Sequence, residues 1–271
     1  MSEMFEMARR FANQPLALRR DEADVLAAVL RGQCPQPEAL VFGRSQERER
    51  QYGLIEGVAI IPVRGILFPG DWGWSWATGY DWIRRGVLTA VADPEVKAIV
   101  LDIDSPGGVV NGCFDLADAI HAARGAKPIW SILSENAYSA AYAIASAADR
   151  ITVPRTGGTG SIGVIWMHVD WSALLEKHGL KVTFITYGDR KADGHPELPL
   201  AKEARERFQA DIDTMGDLFV GTVARNRNIP ATKVRGTQAA TFLGDAGVAL
   251  GLADAVMAPD AAFLALLDQL G

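Results

Sequence analysis

Apolar runs separated by amphipathic segments characterise the central part of the chain. Short apolar runs with the length of buried strands occur at residues 58–63, 97–103, 127–133 and 150–153. Apolar residues at helical spacing lie between them, at residues 80–92, 113–124 and 139–148. Because strands that are apolar throughout need both faces covered, this alternation predicts an α/β fold with a buried sheet flanked by helices.

The same pattern continues towards the end of the chain. Strands are predicted at 163–169 and 181–186, a short helix at 171–177, one long amphipathic helix at 202–227, and strand–helix–strand over 242–256. Residues 1–56 differ, with helical spacing at 21–31, prolines after Cys34 and a charge-rich stretch at 44–51. We therefore predict an N-terminal helical arm and linker (1–56) and a main domain (57–271).

Composition narrows the class of protein. The chain has 271 residues, 49% of them hydrophobic, and a formal net charge of −6, with a pI near 5.3 and no basic stripe, which argues against nucleic acid as a partner. Neither a secretory signal nor an apolar run of membrane-spanning length is present, so cytoplasmic residence without a membrane span is expected. Cys34 and Cys113 form no CxxC pair and are interpreted as packed thiols.

A glycine pair follows the second strand of the main domain. The segment Asp104-Ser-Pro-Gly-Gly-Val109 separates this strand from the next helix. Two adjacent glycines allow close approach of a ligand to backbone N–H groups, so Gly107 and Gly108 are candidates for an oxyanion hole. Alternatively, the two glycines form only a tight turn between the strand and the helix. Neither a GxGxxG nor a Walker pattern is present, which disfavours dinucleotide and phosphate binding.

Ser139 is the candidate nucleophile. It stands where the third strand passes into a helix of small residues, and its hydroxyl could either cap that helix or attack a substrate. No G-x-S-x-G elbow surrounds it, which disfavours a lipase-type hydrolase. The four histidines (His121, His168, His178 and His195) give a Ser-His-Asp triad no local support and lack the spacing of metal ligands, so neither metal nor cofactor is predicted.

Lys191 is the better candidate for the base. A lysine must be neutral to accept a proton, and burial, a nearby positive charge or a hydrogen bond to the amine favours that form. The hydroxyl of Ser161, in Thr-Gly-Ser-Ile-Gly, could hold and orient the amine. An exposed loop lysine and a turn serine are the alternatives for these two residues. The S-x-x-K motif of penicillin-binding proteins is absent.

Four motifs in this order resemble the signal peptide peptidase A (SppA) family. They are Ser-Pro-Gly-Gly after a strand, the segment from Ala137 to Ile151, Thr-Gly-Ser-Ile-Gly-Val, and Lys191. The resemblance covers residues 57–257 and implies a ClpP/crotonase fold of repeated β-β-α units. It also implies a Ser–Lys dyad of Ser139 and Lys191, with Ser161 orienting the lysine. Many members have Ser-Gly-Gly at the nucleophile, whereas this chain has Ser139-Ala-Ala.

Within that family the chain is most similar to the head-maturation proteases of tailed phages. Trp166-Met-His168, Ala173 to Gly179 and Lys191-Ala-Asp-Gly-His-Pro196 carry this likeness, although some phage relatives continue into a scaffolding segment beyond the position of Gly271. The resemblance implies an endopeptidase that processes capsid, scaffold or portal polypeptides. It further implies a homo-oligomeric ring or dome, in which neighbouring subunits could supply Ser139 and Lys191.

Three other functions stay open at this point. A cellular signal-peptide or membrane-protein peptidase would use the same chemistry, and a non-catalytic head-assembly protein could share the fold. A crotonase-like acyl-CoA enzyme is a third alternative, but the sequence has no visible nucleotide-binding motif.

The aromatic run from Phe68 to Trp76 contains Trp72, Trp74 and Trp76, which are candidates for a substrate groove or a subunit contact. Alternatively, the run forms a loop that packs on its own domain.

Overall fold

The computed structural model describes residues 50–71, 73 and 76–271, together with the backbone of residues 16–18. The helix predicted at 21–31, Cys34, Trp72 and Trp74 lie outside the described residues. No described helix is both long enough and apolar enough to cross a bilayer.

The strands of the described residues are β1 (Leu16–Leu18), β2 (Gly53–Ile55), β3 (Val58–Phe68), β4 (Ala77–Gly79), β5 (Ala98–Val109), β6 (Ile129–Tyr138), β7 (Arg150–Val153), β8 (Gly158–Gly160), β9 (Thr241–Leu243) and β10 (Ala255–Val256). The helices are α1 (Tyr80–Ala92), α2 (Cys113–Ala123), α3 (Ala140–Ser146), α4 (Ser172–Lys177), α5 (Lys202–Arg227), α6 (Ala231–Gly236), α7 (Gly244–Ala249) and α8 (Pro259–Leu270).

These strands join one twisted sheet whose main order is β10-β7-β6-β5-β3-β2. The pairs from β3 to β10 along this path are parallel, whereas β2 pairs antiparallel with β3. Three short strands extend the central ones at their carboxyl ends: β4 pairs with β3, β8 with β6, and β1 with the end of β5. The carboxyl ends of β5 and β6 therefore meet at one edge, which is where ligands bind in open α/β sheets.

The sheet is covered on both faces, as the apolar runs predicted. Side chains such as Ile61, Leu101 and Leu133 face the larger core beneath α1, α2, α3 and α5. Alternate residues of the same strands, such as Val100 and Ile132, face a smaller core closed by Ala262 and Leu266 of α8. All seven residues of α3 are buried, which its alanine-rich sequence permits because small side chains let neighbouring elements approach closely.

Two sequence predictions of secondary structure are wrong. Residues 163–169 and 181–186 were expected as strands but form none, apart from a single bridge residue at Ile165. Ile165, Val169, Val182 and Ile185 are exposed, whereas Val164 packs against the core from outside the sheet. In addition, β5 continues through the predicted turn to Val109, because Gly107 and Gly108 pair with Ile66 and Leu67 of β3. Helix α8 had not been predicted.

Candidate active site

Ser139 lies at a sharp turn between β6 and α3. Its backbone has φ 51° and ψ −121°, a conformation that residues with a side chain rarely adopt. The Ser139 N–H donates to the Gly160 carbonyl at 2.9 Å, and the Ser139 carbonyl accepts from Ala143 N–H at 3.0 Å. These bonds hold the turn from both sides. A strained strand-to-helix turn of this kind is how hydrolases present a nucleophilic serine, although the G-x-S-x-G sequence is absent.

Among the described residues, the Ser139 hydroxyl makes one hydrogen bond, a long one of 3.5 Å to the Gly163 carbonyl. The residue has no exposed surface. None of the four histidines donates to or accepts from it among the described residues, so no Ser–His pair is formed within this part of the chain.

The glycine pair of β5 lies beside the end of β6. Ser105 of β5 is in register with Ala137 of β6, two residues before Ser139. Gly108 has to be glycine, because a Cβ there would stand 1.8 Å from the Leu67 carbonyl oxygen. Gly107 has φ 109°, and its N–H donates to the Ser105 hydroxyl at 3.1 Å. Both glycines are thus close to Ser139, with the Gly107 N–H engaged by its own strand.

Ser161 is adjacent to Ser139 on the other side. It follows β8, whose Gly160 is in register with Tyr138 and accepts the Ser139 N–H. Ser161 is buried, has φ 54°, and is fixed by its N–H, which donates to the Ala240 carbonyl at 2.9 Å. Two serines with positive φ therefore stand on paired strand ends.

Lys191 is not brought to the two serines in this chain. It is exposed, in a series of turns, and its side chain has neither a hydrogen bond nor an ion pair with any described residue. It belongs to residues 164–200, a segment that we name the apolar arm. The arm rests on the first turns of α5, where the Trp166 and Phe208 rings lie 4.3 Å apart and Arg207 pairs with Asp193.

The apolar arm carries much of the exposed hydrophobic surface. Of the 14 exposed large hydrophobic residues in the described part of the chain, eight lie between Ile165 and Tyr187. Ile185 and Tyr187 are fully exposed, and Leu180 is 58% exposed. Exposed hydrophobic side chains are thus concentrated in this segment of the described chain.

Helix α3 is anchored at both ends. At its start, the Cys113 thiol lies 3.6 Å from the Ala140 carbonyl oxygen. Cys113 is buried and is therefore a packed thiol as predicted, and this burial raises its pKa to about 12. At its end, the Arg124 guanidinium donates to the carbonyls of Ser146, Ala147 and Ala148. A cation at a helix C-terminus satisfies carbonyls that lack intrahelical donors.

Sequence reasoning missed two residues of the site. The buried hydroxyl of Ser105 donates to the Gly65 carbonyl at 2.7 Å and accepts from Gly107, so it fixes the glycine strand. Ala140 provides the first amide after the candidate nucleophile and, as the first residue of α3, has no intrahelical acceptor. Its position directly after Ser139 was the available signal, because hydrolases use that amide in the oxyanion hole.

Of the three tryptophans proposed for a groove, only Trp76 is described. It is 42% exposed and precedes β4, and its carbonyl accepts from Ile66 N–H at 3.0 Å. Ile66 is in register with Gly107, so Trp76 lies one strand away from the glycine pair. No group of three or more His, Cys, Asp or Glu residues suited to hold a metal occurs among the described residues.

Comparison with known proteins identifies the family of the chain. Residues 121–270, more than half of the chain, match the family described as Peptidase family S49. The head-tail preconnector protein GP5 of Enterobacteria phage P21 is 40% identical over 208 residues, covering 76% of this chain and 42% of that protein. The capsid assembly protease C of Escherichia phage lambda is 37% identical over 224 residues, covering 82% and 51% respectively.

A cellular relative also matches. Protease 4 of Haemophilus influenzae is 27% identical over 212 residues, covering 78% of this chain and 34% of that protein. The chain thus spans about half, or less, of the length of these relatives. The matched family region contains Ser139, Ser161 and Lys191, and the fold around them is the mixed α/β arrangement that the SppA resemblance implied. This chain belongs to peptidase family S49.

Proposed function

We propose that this chain is a serine endopeptidase that processes capsid, scaffold or portal polypeptides during phage head maturation. The observation that carries the proposal is the strained turn at Ser139, flanked by the glycine strand on one side and by Ser161 on the other. The names of the two phage relatives support the choice of substrate.

The proposed chemistry is acyl transfer. Neutral Lys191, held by the Ser161 hydroxyl, takes the proton from Ser139 Oγ as this oxygen attacks the scissile carbonyl carbon. Amides at Gly108 and Ala140, and Gly107 once it is released from Ser105, stabilise the negative oxygen of the tetrahedral intermediate. Lys191 then protonates the leaving amine, and water hydrolyses the acyl-enzyme. Trp76, together with Trp72 and Trp74, is proposed to border the substrate groove.

The dyad is proposed to form between neighbouring copies. Within one chain Ser139 is buried in the body, whereas Lys191 is exposed on the apolar arm and has no described partner. The exposed hydrophobic residues of the arm give it a surface for packing on another copy. A homo-oligomeric ring or dome would repeat this contact, so that each arm completes the site of its neighbour.

Mixing two inactive variants tests this arrangement. Ser139→Ala and Lys191→Ala should each lack activity on a capsid or portal substrate, read by mass spectrometry of the products. If the dyad joins two chains, an equimolar mixture that is allowed to reassemble should recover about one quarter of wild-type activity, since each site draws its serine and its lysine at random. A mixture that stays inactive would place both residues in one chain.

Further variants and substrates test the catalytic dyad and the substrate class independently. Full activity of Lys191→Ala alone would refute the role of this lysine, whereas Ser161→Ala should lose activity only in part. Cleavage of a signal peptide but of no capsid, scaffold or portal protein would favour the cellular role that the likeness to Protease 4 suggests. Absence of Ser139-dependent cleavage of any substrate would favour a non-catalytic head-assembly protein.

A further inference from the structure

Strand β1 occupies the edge of β5 that faces the nucleophile. Ala17 is in antiparallel register with Gly108, and Leu18 with Gly107. The other edge of the same two glycines is taken by β3, which pairs with them in parallel. Since a strand has only two edges, β1 must lie on the edge that β6 shares with β5 up to the Ser105–Ala137 pair.

The direction of β1 brings its end towards Ser139. In the antiparallel pairing Leu16 lies opposite Val109 and Leu18 lies opposite Gly107, so β1 runs from Val109 towards Ser105 along β5. Extending the β5–β6 register by two residues from Ala137 would bring position 139 opposite Gly107, the residue that Leu18 faces. The turn at Ser139 takes the chain out of the sheet at this point, and β1 fills the vacated edge.

The burial of the site agrees with an occupied edge. Ser139, Gly107 and Gly108 are all buried, although a nucleophile and its oxyanion donors must meet a polypeptide. A peptide that adds to an exposed sheet edge gains main-chain hydrogen bonds irrespective of its sequence. An extended substrate and β1 would therefore compete for the same backbone groups of β5.

We propose that residues 16–18 act as a built-in blocking strand, which must leave the edge of β5 before a substrate can reach Ser139. The occupant is a segment of this same chain, and the proposal rests on the proposed role of Ser139 as nucleophile. The accessible fraction of sites, and hence the rate of reaction with a strand-like substrate, is then set by how often β1 detaches.

A proline in the strand tests the proposal in the full chain. Ala17→Pro removes one N–H of β1 and disfavours its pairing, and Ala12→Pro, at a position outside β1, is the matched control. The probe is a fluorophosphonate carried on a tripeptide, from which the Ser139 oxygen displaces fluoride while its proton passes to the base. Ala17→Pro should raise the labelling rate about tenfold, with Ala12→Pro close to wild type. Equal rates in all three proteins would overturn the proposal.

Added peptide provides a second measurement. A synthetic peptide of residues 11–21 should slow the labelling of Ala17→Pro, whereas the same peptide with proline in place of Ala17 should not. Failure of both peptides to compete would also count against a blocking strand. Should Ser139 not be labelled in any of these proteins, the proposed function itself would fail, which is a different outcome from equal labelling rates.

The fate of the strand distinguishes a blocker from a substrate. As a blocker, the N-terminal segment should stay intact in the wild-type protein, as seen by intact mass. Cleavage next to Leu18 that disappears in Ser139→Ala would show that the segment is processed by its own site, and would overturn its role as a retained blocking strand.

Discussion

Ser139 occupies a backbone conformation that costs free energy for any residue with a Cβ. Its φ of 51° with ψ of −121° lies outside the regions that residues other than glycine populate, and such residues typically carry about 1–3 kcal/mol of strain. Hydrogen bonds of the Ser139 backbone to Gly160 and Ala143 hold the turn in this conformation. The strain follows from the need to direct a side chain out of the sheet at the point where β6 ends.

The strain at Ser139 can be measured by removing the Cβ. Ser139→Gly should be more stable to urea unfolding than Ser139→Ala by about 1 kcal/mol, because glycine tolerates positive φ. The matched control is Ala140→Gly at the neighbouring buried position in α3, where loss of the Cβ should destabilise by about 1 kcal/mol. A Ser139→Gly variant less stable than Ser139→Ala would show that the turn is not strained.

At the scale of elements, α3 is the support on which the site depends. It is seven residues long, too short to be stable alone, so its position comes from burial and from hydrogen bonds at its ends. Arg124 of the α2 C-terminus provides donors for the last carbonyls of α3, and Asn226 of α5 donates to the Ser146 hydroxyl at 3.0 Å. Two neighbouring helices thus fix the helix that begins at Ser139.

Loss of the Arg124 guanidinium should therefore weaken the fold. Arg124→Met keeps the apolar stem but leaves the carbonyls at the end of α3 without these donors, and should lower the free energy of unfolding by about 2–3 kcal/mol. The control is Arg84→Met on α1, an exposed arginine with no side-chain partner among the described residues. It should change stability by less than about 0.5 kcal/mol. Urea titration, monitored by tryptophan fluorescence, measures the free energy of unfolding of both variants. Equal losses of stability in the two would contradict the anchoring role of Arg124.

At the scale of the whole molecule, the described structure has a compact sheet body and an arm whose apolar side chains face outward. The body buries its sheet on both faces, whereas the arm packs mainly on the start of α5 and exposes Leu174, Leu180 and Ile185. Since the proposed base lies on this arm, self-association and activity are expected to depend on the same surface.

Charge placed on the arm should separate the copies. Leu180→Asp should shift the protein to smaller species in size-exclusion chromatography with light scattering and should lower peptidase activity at least tenfold, because a carboxylate resists burial at an apolar contact. Leu264→Asp on α8 is the matched control, since Leu264 is 60% exposed and Leu180 58%. Identical elution of the two variants and wild type would contradict an interface at the arm.

The amino-acid sequence by itself determined the layered fold, because periodicity of apolar residues reflects burial directly. The predicted helices at 80–92 and 202–227 and the strand at 150–153 have the predicted bounds, and the two-sided burial of β3, β5 and β6 follows from their continuous apolar runs. The order and spacing of the motifs likewise indicated the SppA family. The match of residues 121–270 to peptidase family S49 assigns the chain to that family.

Only the tertiary structure decided which apolar segments enter the sheet and which groups meet Ser139. Residues 163–169 and 181–186 have strand-like composition, but composition cannot tell a buried strand from an exposed apolar segment. The positive φ of Ser139, the hold of Arg124 on α3 and the pairing of β1 with the glycine strand depend on contacts between residues far apart in sequence. Such contacts leave no periodic trace, because they arise from packing of elements and not from local preference.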